Sequence, residues 1–129
     1  MTKEHAEHNE SACDFLLESE KYNDWVVTTA FYSALHFVQH EIFPLTIGDD
    51  TWENFDDYFA YRLKNESRTI NKHSVTDELV KVHFNVALTN YRFLSDSCWN
   101  ARYKRYKVSI DLAKAARRRL AQLKEFLTN

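Results

Sequence analysis

A chain of 129 residues with a single glycine and a single proline has few architectures open to it. Both fall in one short segment, as Pro44 and Gly48 of FPLTIGDD, whereas a β-rich domain needs glycine, proline and asparagine at many turns. The expectation is an all-α fold: an up-and-down bundle of about five helices, forming a single domain over residues 1–129. Hydrophobic residues make up 44% of the chain and aromatics 15%, ample for one packed core.

Asp24 to Phe43 is so apolar that it belongs inside that core, with Val27, Phe31, Ala34, Val38 and Ile42 on a stripe of 3.6 spacing. Thr29, Ser33, His36 and His40 also recur through it, at i, i+4, i+7 and i+11, which aligns hydroxyls and imidazoles on one side. They need partners, because an unpaired buried polar group costs about 1 to 3 kcal/mol.

The spacing predicts four more helices. The first covers 4–19, with Ala12, Phe15, Leu16 and Ser19 near one side, and Asn23 or Asp24 then caps the second. A third spans about 51–65, and the polar NESRTINK of 65–72 is a linking loop. Ser74 to Asp77 has the form of a capping box that opens a fourth helix running to about Asn100 with two apolar stripes, hence two neighbours. The fifth, from 108 to 127, repeats Leu112, Ala116, Leu120, Leu123 and Leu127.

The opening MTKEHAEHNESAC lacks the basic end and apolar run of a secretory signal, and no stretch approaches roughly 18 uninterrupted apolar residues. Cys13 and Cys98 form no C-x-x-C pair and read as reduced, packed thiols of a cytoplasmic protein. The net charge of −2 is segregated: residues 101–129 carry nine Lys or Arg against Asp111 and Glu125, a net +7, which leaves −9 on residues 1–100. A basic terminal helix is either a footprint for a phosphate backbone or a solvated face partly neutralised by the acidic first helix. The basic residues of the chain lack the regular aromatic interleaving of a dedicated single-strand binder, so only modest nonspecific nucleic-acid affinity is expected.

Phe31-Tyr-Ser-Ala-Leu-His36 resembles the aromatic-Tyr-x-Ala-x-His signature of HEPN domains (higher eukaryotes and prokaryotes nucleotide-binding). His73 is similar to the histidine often found at the start of their fourth helix, and Tyr91-x-x-Leu94 with Cys98, Ala101, Arg102 and Tyr103 to the ending of small bacterial members, with cysteine where serine is commoner. The resemblance runs from about residue 10 to 125. It implies a helical bundle that often forms a homodimer and works with RNA or nucleotides in toxin-antitoxin, defence or RNA-processing systems, in which a nucleotidyltransferase-type antitoxin is one expected partner. Catalytic members carry R-x(4 to 6)-H and act as metal-independent ribonucleases, a pattern met here by Arg68 to His73. A chain with this many arginines and histidines yields ~1 such match by chance, so the spacing alone decides nothing.

Under the nuclease reading, His73 is general base or acid and Arg68 stabilises charge on the reacting phosphorus. The competing account makes Arg68 an exposed loop cation and His73 a ring packed beside a helix cap. Under a binding reading, Tyr32 with His36 and Arg102 with Tyr103 line a cleft between the second and fourth helices, the tyrosines stacking a base while Arg102 meets a phosphate. Its competitor buries both tyrosines in the core with tethered hydroxyls. His36 and His40 have metal-ligand spacing, but no Cys or Asp cluster completes a set, so buried, hydrogen-bonded histidines are expected and neither metal nor other cofactor is. A third reading is an interaction subunit that docks through the basic C-terminal helix.

Overall fold

A computed structural model describes residues 2–128. Six α-helices and one short hairpin follow in the order α1 (Thr2–Ser19), α2 (Asn23–Ile42), β1 (Leu45–Ile47), β2 (Asp50–Trp52), α3 (Phe55–Asn65), α4 (Lys72–His83), α5 (Leu88–Tyr103) and α6 (Ile110–Thr128). The all-α helical bundle expected from the composition is what the chain forms, with one helix more than the spacing predicts.

The second helix is the hub. Val27, Phe31, Ala34, Val38 and Ile42 are all buried as expected, and Val26, Ala30, Leu35 and Phe37 are buried too, so α2 is enclosed on nearly every side. It packs against α1, α5, α6 and α4. The last helix contributes Ala113, Ala116, Leu120, Leu123 and Leu127 to the same core. The first helix turns a different face inward from the one expected: Ala6 and Cys13 are buried while Phe15 is exposed. Small side chains at those two positions let α1 approach α2 closely, and the Ser33 hydroxyl bonds the Ala6 carbonyl across the gap at 2.8 Å. Asn23 does not cap α2; its amide donates to the Val108 carbonyl at 3.0 Å and ties the start of α2 to the turn before α6.

Three further expectations are corrected. Residues 45–52, read partly as the start of a third helix, pair as an antiparallel hairpin in the register Leu45 to Trp52. Gly48 has φ +62, the left-handed backbone that a two-residue hairpin turn requires and that glycine adopts freely. Trp52 then rests on Tyr58 and Tyr61, with ring centroids 5.2 and 4.9 Å away, and α3 starts only at Phe55. The long fourth helix is two: α4 ends at His83, Phe84 leaves helical geometry, and a 3-10 turn over Asn85–Ala87 precedes α5. One straight rod cannot turn both apolar stripes inward; the break leaves Val82 and Val86 exposed and points Ala87, Tyr91, Leu94 and Cys98 at the core. Finally, α4 begins a turn early, capped by Asn71, whose side chain accepts from the Ser74 N–H while the Ser74 hydroxyl accepts from the Asn71 N–H, so Ser74 closes a capping box that it was expected to open.

Candidate functional site

The polar stripe on α2 resolves residue by residue. Thr29 is satisfied within its own helix, by the Trp25 carbonyl at 2.7 Å, and Ser33 by α1. His40 is exposed, contrary to the expectation of a buried, hydrogen-bonded ring. His36 is half-buried and stacks on His5 of α1, their rings 3.9 Å apart and tilted by 23°. Burial, then the neighbouring His5, pushes its pKa down to about 4, so it is neutral near pH 7.

One turn earlier on α2, Tyr32 meets residues from two other helices. The Arg102 guanidinium of α5 donates to the Tyr32 hydroxyl at 2.8 Å. His73 of α4 lies edge-on to Phe31 and Tyr32, with centroids 5.2 and 6.0 Å away. Although His73 is exposed overall, partial burial of its ring against Phe31 and Tyr32, and secondarily the charge of Arg102, holds the imidazole below its ordinary pKa, which favours the neutral form that can accept a hydrogen bond. Three residues from distant parts of the chain thus share one spot: a phenol, an imidazole and a guanidinium. Among the described residues Arg102 has no carboxylate partner, nor have Arg105, Arg118 and Arg119, whereas Arg62, Arg68, Arg92 and Arg117 do; of the four without one, Arg102 is the arginine held by a tyrosine hydroxyl.

Beside this cluster lies a cleft of about 410 Å³ lined by His5, His36, Asn54, Asp56 and Lys72. The single cleft expected between the second and fourth helices is therefore two adjoining sites: Tyr32 and Arg102 belong to one, His36 to the other. Tyr103 belongs to neither; it is exposed, tilted against Trp99 with centroids 4.4 Å apart, and lies under Arg102 at 5.3 Å. That excludes a core role for Tyr103, while the half-buried Tyr32 does have the tethered hydroxyl of the competing account.

Arg68 is exposed over 62% of its side chain, yet its Nη2 reaches Glu78 at 2.7 Å and its Nε reaches Glu66 at 3.1 Å. Arg62 bonds the same two carboxylates, at 2.9 Å to Glu66 and 3.0 Å to Glu78. These four side chains stitch α3 and the following loop to α4. Arg68 is thus committed to carboxylates, and the cation that acts on the His73 ring is Arg102.

Among the described residues no group of three or more His, Cys, Asp or Glu side chains is placed to hold a metal ion. Cys13 and Cys98 are buried free thiols, and burial pushes Cys13 up to about 11 and raises Cys98, so neither is a ready nucleophile. No described helix is long and apolar enough to cross a membrane. On the basic last helix, Arg117 pairs with Asp14 and Glu10 and Lys124 with Glu10, the neutralisation by the acidic first helix that the charge pattern allowed. Nothing in their spacing along the chain marks His5 and Lys72; their placement is visible only once α1 and α4 are packed on α2. No protein-family model, curated protein or solved structure matches this chain.

Proposed function

We propose that this chain is a HEPN-like RNA- or nucleotide-associated binding module whose site is the Tyr32, His73 and Arg102 cluster. The observation that carries the reading is Arg102, a guanidinium without a carboxylate partner, oriented by a phenol and set beside a neutral imidazole. A forked cation of this kind suits a phosphate oxygen, and Tyr32 and His73 supply an aromatic edge and a hydrogen-bonding ring for a base or ribose. The adjoining cleft, with Lys72 and the stacked His5 and His36, offers room for the remainder of a nucleotide. The residue pattern of α2, α4 and α5 supports placing the module with small bacterial homodimers of toxin-antitoxin or defence systems, in the cytoplasm and beside a nucleotidyltransferase-type partner.

A metal-independent ribonuclease using Arg68 and His73 draws less support, because Arg68 is engaged by Glu66 and Glu78. Docking of an acidic protein on the last helix draws less as well, since Arg117 and Lys124 already have acidic partners within the chain. Calorimetric titration of AMP, and of a short 5'-phosphorylated RNA, into the wild type and the Arg102→Ala and Tyr32→Phe variants tests the proposal. Loss of a charge-assisted contact predicts about tenfold or greater weakening for Arg102→Ala, and Tyr32→Phe weakens binding less. Unchanged affinity in Arg102→Ala refutes the assignment.

A further inference from the structure

We propose that the end of the bundle formed by the start of α2, the end of α5 and the turn into α6 is a track for a single-stranded polynucleotide, with Arg102 as its junction to the Tyr32 and His73 cluster. This rests on the binding reading above and extends it from a mononucleotide spot to a strand.

Four large aromatics stand out of the fold here: Trp25 is 53% exposed, Trp99 57%, Tyr103 60% and Tyr106 69%. Surface aromatics that pack on nothing gain little by being there, and these four are not scattered. Trp99 and Tyr103, one helical turn apart on α5, form a tilted pair. Trp25 and Tyr106 line a hollow of about 180 Å³ whose floor is Thr28 and Ala101. Arg102 borders the hollow and lies over the Tyr103 ring, so it joins the two aromatic pairs. A second hollow, of about 210 Å³, continues past Tyr106 between Lys21 and Lys107.

The charge matches a phosphate backbone. Residues 97–110 contain Arg102, Lys104, Arg105 and Lys107 and no acid, and among the described residues none of these cations has a carboxylate partner. Asp24 is the one acid lining either hollow. The expectation that the basic residues lack aromatic interleaving is corrected here: aromatics and cations alternate at the end of α5 and just after it, in the run Trp99-Asn-Ala-Arg-Tyr-Lys-Arg-Tyr-Lys107. Exposed π-faces alternating with free cations fit unpaired bases and the phosphates between them; a duplex keeps its base faces stacked internally and out of reach. A second copy of this chain fits poorly, because a twofold contact would press this patch against itself, cation to cation.

The test measures the fluorescence anisotropy of labelled single-stranded RNA, single-stranded DNA and duplex RNA of about 12 nucleotides with wild type, Trp25→Ala, Tyr106→Ala and Tyr106→Phe, after melting curves confirm folding. Single strands are expected to bind more tightly than duplex, with affinity lowered about 5- to 150-fold by each alanine and restored in Tyr106→Phe, whose ring still stacks. Tryptophan emission should be quenched by the strand even in Trp52→Phe, since Trp25 and Trp99 would be the reporters. If Arg102→Ala weakens strand binding while both alanine variants bind as wild type does, the track is overturned and the Tyr32, His73 and Arg102 site stands. A wild type that binds no oligonucleotide but still binds AMP likewise overturns the track alone, and one that binds neither overturns both. Alanine variants that change only the sedimentation of the protein assign the patch to self-association and overturn the track.

Discussion

Acidification from pH 7 to pH 5 destabilises this protein through His36. Burial, and then His5, lowers its pKa from 6.5 to about 4; Asp56 opposes the shift and Lys72 adds weakly to it. At pH 5 the unfolded chain takes up a proton that the folded chain refuses, so the unfolded state binds more protons and stability falls as the pH drops from about 6.5 toward 4. The 1.5 or so units between the ordinary value and pH 5 correspond to about 2 kcal/mol at full strength, and solvent screening of a half-buried ring reduces this to about 1 kcal/mol. In a domain of this size that lowers Tm by about 4 °C. His73, also held below its ordinary value by burial, acts with the same sign and adds to the loss. Thermal melts at pH 7, 6 and 5, at constant ionic strength, should show His36→Gln losing less Tm over the interval than the wild type. Equal losses in the two proteins would refute the reasoning, because the variant has no ring left to titrate.

Leu120 on α6 is fully buried, and Leu120→Ala should cost about 2 to 5 kcal/mol in urea unfolding; a loss well under that range would mean that α6 is not docked on α2. Glu10 accepts from both Arg117 and Lys124 and is only 18% exposed, so Glu10→Gln should cost about 1 kcal/mol at low salt. Repeating the unfolding at high salt should shrink that difference, and a salt-independent cost would point to packing instead.

The helices whose apolar repeat extends over several turns, α2 and α6, are legible in the residues because burial on a long rod writes its own period. The α4–α5 break is not, since Phe84 and its neighbours keep an apolar rhythm on both sides of it and only the competition between two stripes for one core decides where the chain bends. The hairpin is foreshadowed by Pro44 and Gly48, yet Trp52 fits a helical face equally well, and what fixes it is contact with Tyr58 and Tyr61. In the site, Tyr32 and Arg102 could be paired from their places on neighbouring helices. His5 could not, because its importance comes from lying over His36 in space and not from any spacing along the chain.

The stitching of α3 to α4 has its own consequence. By backbone proximity α3 stays near β2 and not the central helices, and its hold on the bundle comes from Phe55 and Tyr58 against Phe43 and from the quartet of Arg62, Glu66, Arg68 and Glu78. Asn54, Phe55 and Asp56, which open this helix, also form one wall of the His36 cleft, while the opposite wall belongs to α1 and α2. Both jaws of that cleft are thus fastened by buried side chains and by ion pairs, Phe55 and Tyr58 with the arginine–glutamate quartet on one side, and the α1–α2 packing with the Glu10 and Asp14 pairs on the other. Dissolved salt therefore weakens the ionic part of each jaw's hold and leaves the buried part in place.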